Sequence, residues 1–181
     1  MPSLRSRAKR SAMRVQPSSG KILALAALEQ AVRRAKTKGE RVVFTNGCFD
    51  LIHPGHVAIL ERSRRLGDVL VVGVNSDRSA RSLDKAQGRP IVGQKDRARV
   101  VAALASVTYV VIFDEQTPLR VIERIAPDVL VKGADWRADA IVGGDVVKRS
   151  GGRVVRMPLV KGRSTTSLVE RIKADKSALD A

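Results

Sequence analysis

Arg41-Val42-Val43-Phe44-Thr45-Asn46-Gly47-Cys48-Phe49-Asp50-Leu51-Ile52-His53-Pro54-Gly55-His56 is the stretch whose reading decides the fold. The apolar start, Arg41 to Phe44, predicts a short buried strand. The residues that follow, Val57 to Leu66, predict a helix with Val57, Leu60 and Leu66 on its apolar face and Gly67 at its stop. The stretch between is a strand-to-helix turn. Pro54 suits the first helical position, where its missing N–H costs nothing. His53 then falls near the N-cap and His56 near the end of the first turn. Both imidazoles sit beside free backbone N–H groups at the positive end of the helix dipole, which makes an anion site. Gly55, lacking a side chain, is expected to leave room for a phosphate to approach.

His53 and His56 are the two histidines of the chain. A metal site would want two further ligands at suitable spacing, and one cysteine with no other histidine does not supply them, so no metal ligand is expected. Phosphate binding is the expectation on which dipole, glycine and imidazole agree. Cys48 has no evident base beside it and reads as a small buried thiol.

The 181 residues suffice for one domain with its own core. Hydrophobic residues make up 44%, the share of a globular chain, and aromatics only 3%, so the core must be aliphatic. No apolar run approaches the ~20 residues that span a bilayer, so no membrane association is expected. A single cysteine excludes an internal disulfide and suits a cytoplasmic location. The net charge of +16 invites a nucleic-acid reading, but +5 of it lies in residues 1–20, leaving +11 on residues 21–181. Residues 1–20 read as a basic disordered leader. It is a solvated tail, an extension upstream of a start at Met13, or a transit peptide. Residues 21–175 form the domain and 176–181 a C-terminal tail.

Along the chain, a helix is expected from Lys21 to Lys36, then the strand and turn above. Asp68 to Val74 is a continuous apolar run, as in a strand buried on both faces of a parallel sheet, and it ends in Asn75-Ser76-Asp77. Residues 78–95 read as a long charged loop, either a lid or a solvated connection. A helix from Asp96 to Leu104, a strand from Thr108 to Phe113, and a helix capped by Thr117 with Pro118 in its first turn follow. A strand over 128–131 ends in Lys132-Gly133-Ala134-Asp135-Trp136. After a weak helix to about Ser150 comes a strand over 152–157. Gly162-Arg163-Ser164-Thr165-Thr166 then leads into a helix from about Ser167 to Lys173. One hydroxyl is enough for a cap, so three in a row point to a second phosphate-binding helix end.

This alternation predicts an α/β fold: a Rossmann-like, doubly wound, five-stranded parallel sheet with helices on both faces. Every motif singled out lies at a strand's carboxyl end, where such sheets place ligands. There is no Walker-type loop, and no Gly-x-Gly-x-x-Gly follows the first strand.

The Thr45–Asp50 and His53–His56 block, with Asn75-Ser76-Asp77, Gly88-Arg89-Pro90, Asp96-Arg97, Lys132-Gly133-Ala134-Asp135 and Gly162–Thr166, resembles the His-x-Gly-His nucleotidyltransferase superfamily over residues 21–173. Within it the chain looks like the stand-alone adenylyltransferases that act on D-glycero-β-D-manno-heptose 1-phosphate. The resemblance implies transfer of AMP from ATP to a phosphorylated sugar, with pyrophosphate released and magnesium entering with ATP. It assigns catalysis to His53, His56 and the loop residue Lys85. It places the nucleotide and its phosphates against Thr45, Asn46, Gly47, Phe49 and Gly55, against Lys132, Gly133 and Asp135, and against Arg163, Ser164, Thr165 and Thr166. The sugar phosphate falls to Asp50, Asn75, Asp77, Arg97 and Trp136. A homodimer is usual for relatives. Two departures stand out. Leu83-Asp84-Lys85 replaces Leu-Lys-Gly, which shifts the lysine by one position, and Val169 stands where some members carry arginine. Two other readings are open: a cytidylyltransferase acting on glycerol 3-phosphate or a similar phospho-alcohol, and, from another class, a basic nucleic-acid-binding protein, for which aromatic stacking platforms are scarce.

Overall fold

The computed structural model describes residues 17–83, 88–134, 137, 140–158, 160 and 162–179. Lys85, Asp135, Trp136 and nearly all of the expected leader lie outside these residues.

Five parallel strands form one sheet, in the order β3-β2-β1-β4-β5. They are β1 (Val42–Gly47), β2 (Val69–Asn75), β3 (Tyr109–Phe113), β4 (Val129–Gly133) and β5 (Arg153–Met157). Period-two alternation sorts their side chains into two cores. Val42, Phe44, Val69, Val71 and Leu130 face α2 (Leu25–Thr37), α6 (Leu119–Ile125) and α7 (Gly144–Arg149). Val43, Leu70, Val72, Val74 and Val131 face α3 (Pro54–Arg64) and α5 (Gln94–Ala103). Both faces are therefore buried, which is why β2 reads as an unbroken apolar run.

The chain starts at β1, winds outward through β2 to β3, then crosses to the other side of β1 for β4 and β5. The β1–β4 boundary is thus the point where winding reverses. Six residue pairs join β1 to β2, but only Val43–Val129 and Phe44–Leu130 join β1 to β4. Beyond Phe44 the two strands part and open a crevice at their carboxyl ends.

Four local expectations change. The helix expected from Lys21 is split into a single turn, α1 (Ser18–Lys21), and α2. Between them Ile22 bridges to Val110, and the Leu23 amide donates to the Val110 carbonyl at 2.9 Å, extending the sheet edge. The expected loop over 78–95 begins as a helix, α4 (Asp77–Ser82), capped by the Ser76 hydroxyl accepting from the Ser79 amide at 3.1 Å. Its six residues carry no apolar period. Thr117 does not cap α6, whose N-cap is Pro118. The last helix, α8 (Thr165–Leu179), starts two residues before the expected Ser167 and runs past residue 175.

Candidate active site

The crevice is a cleft of about 690 Å³, a size suited to a small-molecule ligand. β1 contributes Thr45, Asn46 and Gly47, and β4 contributes Lys132 and Gly133. Where the ladder has ended, the Lys132 ammonium donates to the Asn46 side-chain carbonyl and spans the parting strands.

After Gly47 the chain must turn sharply onto α3. Phe49 accomplishes this with φ 49°, a left-handed value that a non-glycine residue adopts only under constraint. The constraint is its ring, which is buried in the second core and lies 5.2 Å from the His56 ring at an interplanar angle of 57°. His53 is the N-cap, in extended conformation, with Pro54 at the first helical position as expected. The His53 and His56 rings stack with centroids 3.9 Å apart and planes 24° from parallel. Nδ1 of His53 is buried and has no hydrogen-bond partner among the described residues. Burial, and secondly the nearby Arg163 guanidinium, hold the His53 pKa below the usual histidine value.

Gly55 serves a purpose other than the one expected. A Cβ there would lie 2.9 Å from both Cε1 and Nδ1 of His53, so the missing side chain makes room for the imidazole itself. Gly55→Ala must push that ring aside. We expect kcat to fall by about a hundredfold, the scale of a 1 Å misplacement, with an unchanged melting temperature; steady-state kinetics beside a thermal melt will check this.

The start of α8 faces the same cleft. The Ser164 hydroxyl accepts from the Ser167 amide at 3.1 Å and so is the cap. The Thr165 hydroxyl donates to the Leu51 carbonyl at 3.4 Å, tying α8 to the motif turn. Thr166 and Arg163 are exposed on the cleft wall. Two helix N-termini, from α3 and α8, therefore border one cavity.

Asp50 and Asn75 line the cleft, but Asp77 and Arg97 do not. Arg97 lies beneath it, with its side chain wholly inaccessible to solvent. Its Nε donates to the Val92 carbonyl at 2.8 Å, Nη1 to the Cys48 carbonyl, and Nη2 to the Asn75 carbonyl and the Asp77 carboxylate, each at 2.8 Å. The expected sugar-phosphate ligand is placed as a tie between the ends of β1 and β2. The structure also adds lining residues without an assigned role at the sequence level: Arg89, the Gln116–Pro118 turn, Val142 and Val160. Of these, only Arg89 lay in a motif, Gly88-Arg89-Pro90. Cys48 lines the cleft as a free, half-buried thiol.

A parallel sheet opens at its reversal point, with paired imidazoles on one helix end and hydroxyls on another, an arrangement suited to a polyphosphate. Residues 44–171 match the family described as cytidylyltransferase-like, and the chain belongs to that family. It is 55% identical over 158 residues to the bifunctional protein HldE of Magnetococcus marinus, covering 87% of this chain and 32% of that protein. Against HldE of Geotalea uraniireducens it is 53% identical over 156 residues, covering 86% and 32%. The chain thus spans about a third of the length of these relatives. A lipopolysaccharide core biosynthesis protein from Thermoplasma volcanium superposes with a TM-score of 0.57 at 28% identity, over 69% of this chain and all of that one. Pantoate-beta-alanine ligase from Francisella tularensis, at 12% identity and a TM-score of 0.54 over 80% of this chain and 68% of that one, shares the fold. No helix among the described residues is long and apolar enough to cross a membrane.

Proposed function

We propose that the chain joins AMP from ATP to D-glycero-β-D-manno-heptose 1-phosphate, giving ADP-heptose and pyrophosphate. The observation that carries this reading is the convergence of the stacked His53–His56 pair with the N-termini of α3 and α8 on one cleft. That is a surface for a polyphosphate. The heptose phosphate is supported by the motif resemblance, by identity above 50% to the two HldE proteins, and by the lipopolysaccharide core neighbour.

An oxygen of the sugar phosphate attacks the α-phosphorus of ATP in line, a new P–O bond forms, and the bond to the β-phosphate bridging oxygen breaks. A phosphomonoester's second pKa is about 6, so the nucleophile is already anionic and needs no general base. The protein's part is to align two anions and to offset charge as it builds. His53 and His56 hold the triphosphate at the α-phosphate. Ser164, Thr165 and Thr166, with the α8 amides and the Lys85 ammonium, take the outer phosphates. Lys132, Gly133 and Asp135 flank the nucleoside. Asn75 and Trp136 face the sugar. Magnesium enters as part of the ATP complex. The enzyme works as a homodimer in the cytoplasm.

His53 is depressed in the free protein and therefore neutral at pH 7. An arriving triphosphate favours the imidazolium, so ATP binding takes up a proton and weakens as pH rises through the bound-state pKa. Titration calorimetry at pH 7 in two buffers of different ionisation enthalpy should show fractional uptake. No uptake would place His53 away from the phosphates. Folding has the opposite sign: because the folded pKa is lower than the unfolded one, this residue's contribution to stability is complete above about pH 6.5 and is lost as pH falls toward the folded value.

Pyrophosphate release, crossing ATP and CTP with the heptose phosphate and glycerol 3-phosphate, tests the substrates. Release with ATP and the heptose phosphate alone supports the reading. Release with CTP and glycerol 3-phosphate replaces it with the cytidylyltransferase.

A further inference from the structure

Taking the proposed transfer as the reaction, we infer that Arg89 grips the acceptor's phosphate, and that Asp50 acts on that substrate only by aiming Arg89. Asp50 belongs to the motif turn, which makes it the obvious direct ligand. Its carboxylate is otherwise engaged. Oδ1 accepts from the amides of both Ile91 and Val92 at 2.9 Å, and Oδ2 accepts from Arg89 Nε at 2.9 Å. Two amide donors fill both lone pairs of Oδ1. Only 1% of the side chain is exposed. Burial alone would raise the Asp50 pKa, but the Val92 and Ile91 amides and the Arg89 guanidinium outweigh it and hold the group ionised. A fixed anion repels a phosphate dianion.

Arg89 has the opposite character. Its side chain, 14% exposed, lines the cleft. With Nε fixed on Asp50, no described residue accepts from its two η nitrogens. They form a planar fork matched to two phosphate oxygens, already oriented and lacking only its anion. Arg89 stands between α4 and α5, away from the paired imidazoles of α3 and the hydroxyls of α8, and of the groups proposed for the triphosphate only Lys85 shares its connection. Its orientation by Asp50, which belongs to neither helix, sets the fork apart for a second phosphate. The Asp50 carboxylate also gathers the Ile91 and Val92 amides, so one buried charge fixes both the backbone beneath Arg89 and the side chain itself.

The test is a double-mutant cycle of Arg89→Ala and Asp50→Asn, with Arg89→Lys alongside, read as KM for each substrate, kcat and melting temperature. Asparagine keeps an oxygen for the two amides and removes the acceptor of Nε. Arg89→Ala should raise the KM for the heptose phosphate about ten- to a hundredfold, the value of a charge-assisted hydrogen bond, and leave the KM for ATP within about twofold. Arg89→Lys, a charge without the fork, should recover only part of this, and added guanidinium ion should restore part of the Arg89→Ala loss. Asp50→Asn should raise the same KM in the native background and add nothing in Arg89→Ala. An unchanged acceptor KM in Arg89→Ala overturns the assignment. So does an equal rise in both KM values with a lowered melting temperature, which would make Arg89 a scaffold residue. A full Asp50→Asn effect on top of Arg89→Ala would show that Asp50 touches the acceptor itself. If the native protein does not turn over the heptose phosphate, the substrate reading fails and takes this assignment with it. Normal native turnover with unmoved variants overturns the assignment alone.

Discussion

His56→Ala lowers kcat by at least about a thousandfold, the scale of losing a preorganised group at the reacting charge, and leaves the fold intact. His56 lies on the first turn of α3, its amide donating to the His53 carbonyl at 2.9 Å. An alanine keeps that backbone bond and is a better helix former than histidine. The imidazole belongs to neither apolar core. It sits between the His53 ring and the Phe49 ring, so both its position and its plane are set before substrate arrives. Its removal takes away a group whose contact with the triphosphate strengthens as charge moves off the α-phosphorus, and the loss should appear more in kcat than in KM for ATP. His53→Ala should show a similar loss, and the double variant should fall far short of the product of the two, because stacked imidazoles act as a unit. Single-turnover kinetics with a far-ultraviolet dichroism melt checks all three proteins. Normal turnover by His56→Ala would mean that the phosphate site is elsewhere.

Arg97→Ala destabilises the protein by roughly 3–5 kcal/mol, the cost of breaking a buried, fully bonded ion pair. The guanidinium joins four acceptors: Cys48 after β1, Asn75 at the end of β2, Asp77 at the start of α4, and Val92 before α5. No water reaches its side chain, so deletion leaves buried carbonyls without donors and takes the ion-pair partner from the partly exposed Asp77 carboxylate. In a chain of this length the change corresponds to a drop in melting temperature on the order of 10 °C. Arg97→Lys should recover little, because an ammonium cannot reproduce the fork geometry. A melting temperature within about 2 °C of the native protein would contradict this.

The same residue shows how far the sequence could be read. Lys95-Asp96-Arg97-Ala98-Arg99 looks like the solvated face of a helix. Arg97 is buried because its partners lie 5 to 49 positions away, and no local pattern reports them. Strand positions, by contrast, are legible because period-two burial is a local property: Val42 and Phe44 point one way, Val43 the other. The motif turn was legible for the same reason, with His53, Pro54 and the α3 start each following from cap and dipole chemistry. The purpose of Gly55 was hidden, since only coordinates show that the His53 ring occupies the space. Ile22 broke an expected helix by pairing with Val110, a contact across 88 positions that outweighs helix periodicity. Arg89 stood in a recognisable tripeptide, but its bond to Asp50 crosses 39 positions, and with that bond its role was out of sight.

The most direct test of the central claim follows oxygen through the reaction. The sugar phosphate is labelled with 18O on its phosphoryl oxygens and incubated with unlabelled ATP, magnesium and the protein, and the products are resolved by 31P NMR and mass spectrometry. Attack of the acceptor's phosphate on the α-phosphorus predicts that all label appears in the sugar nucleotide, with one labelled oxygen bridging the two phosphates, and that pyrophosphate carries none. Release of ADP with a doubly phosphorylated sugar, or label recovered in pyrophosphate, would contradict the account, because the bond broken in ATP would not be the one that the His53–His56 cleft is proposed to act on.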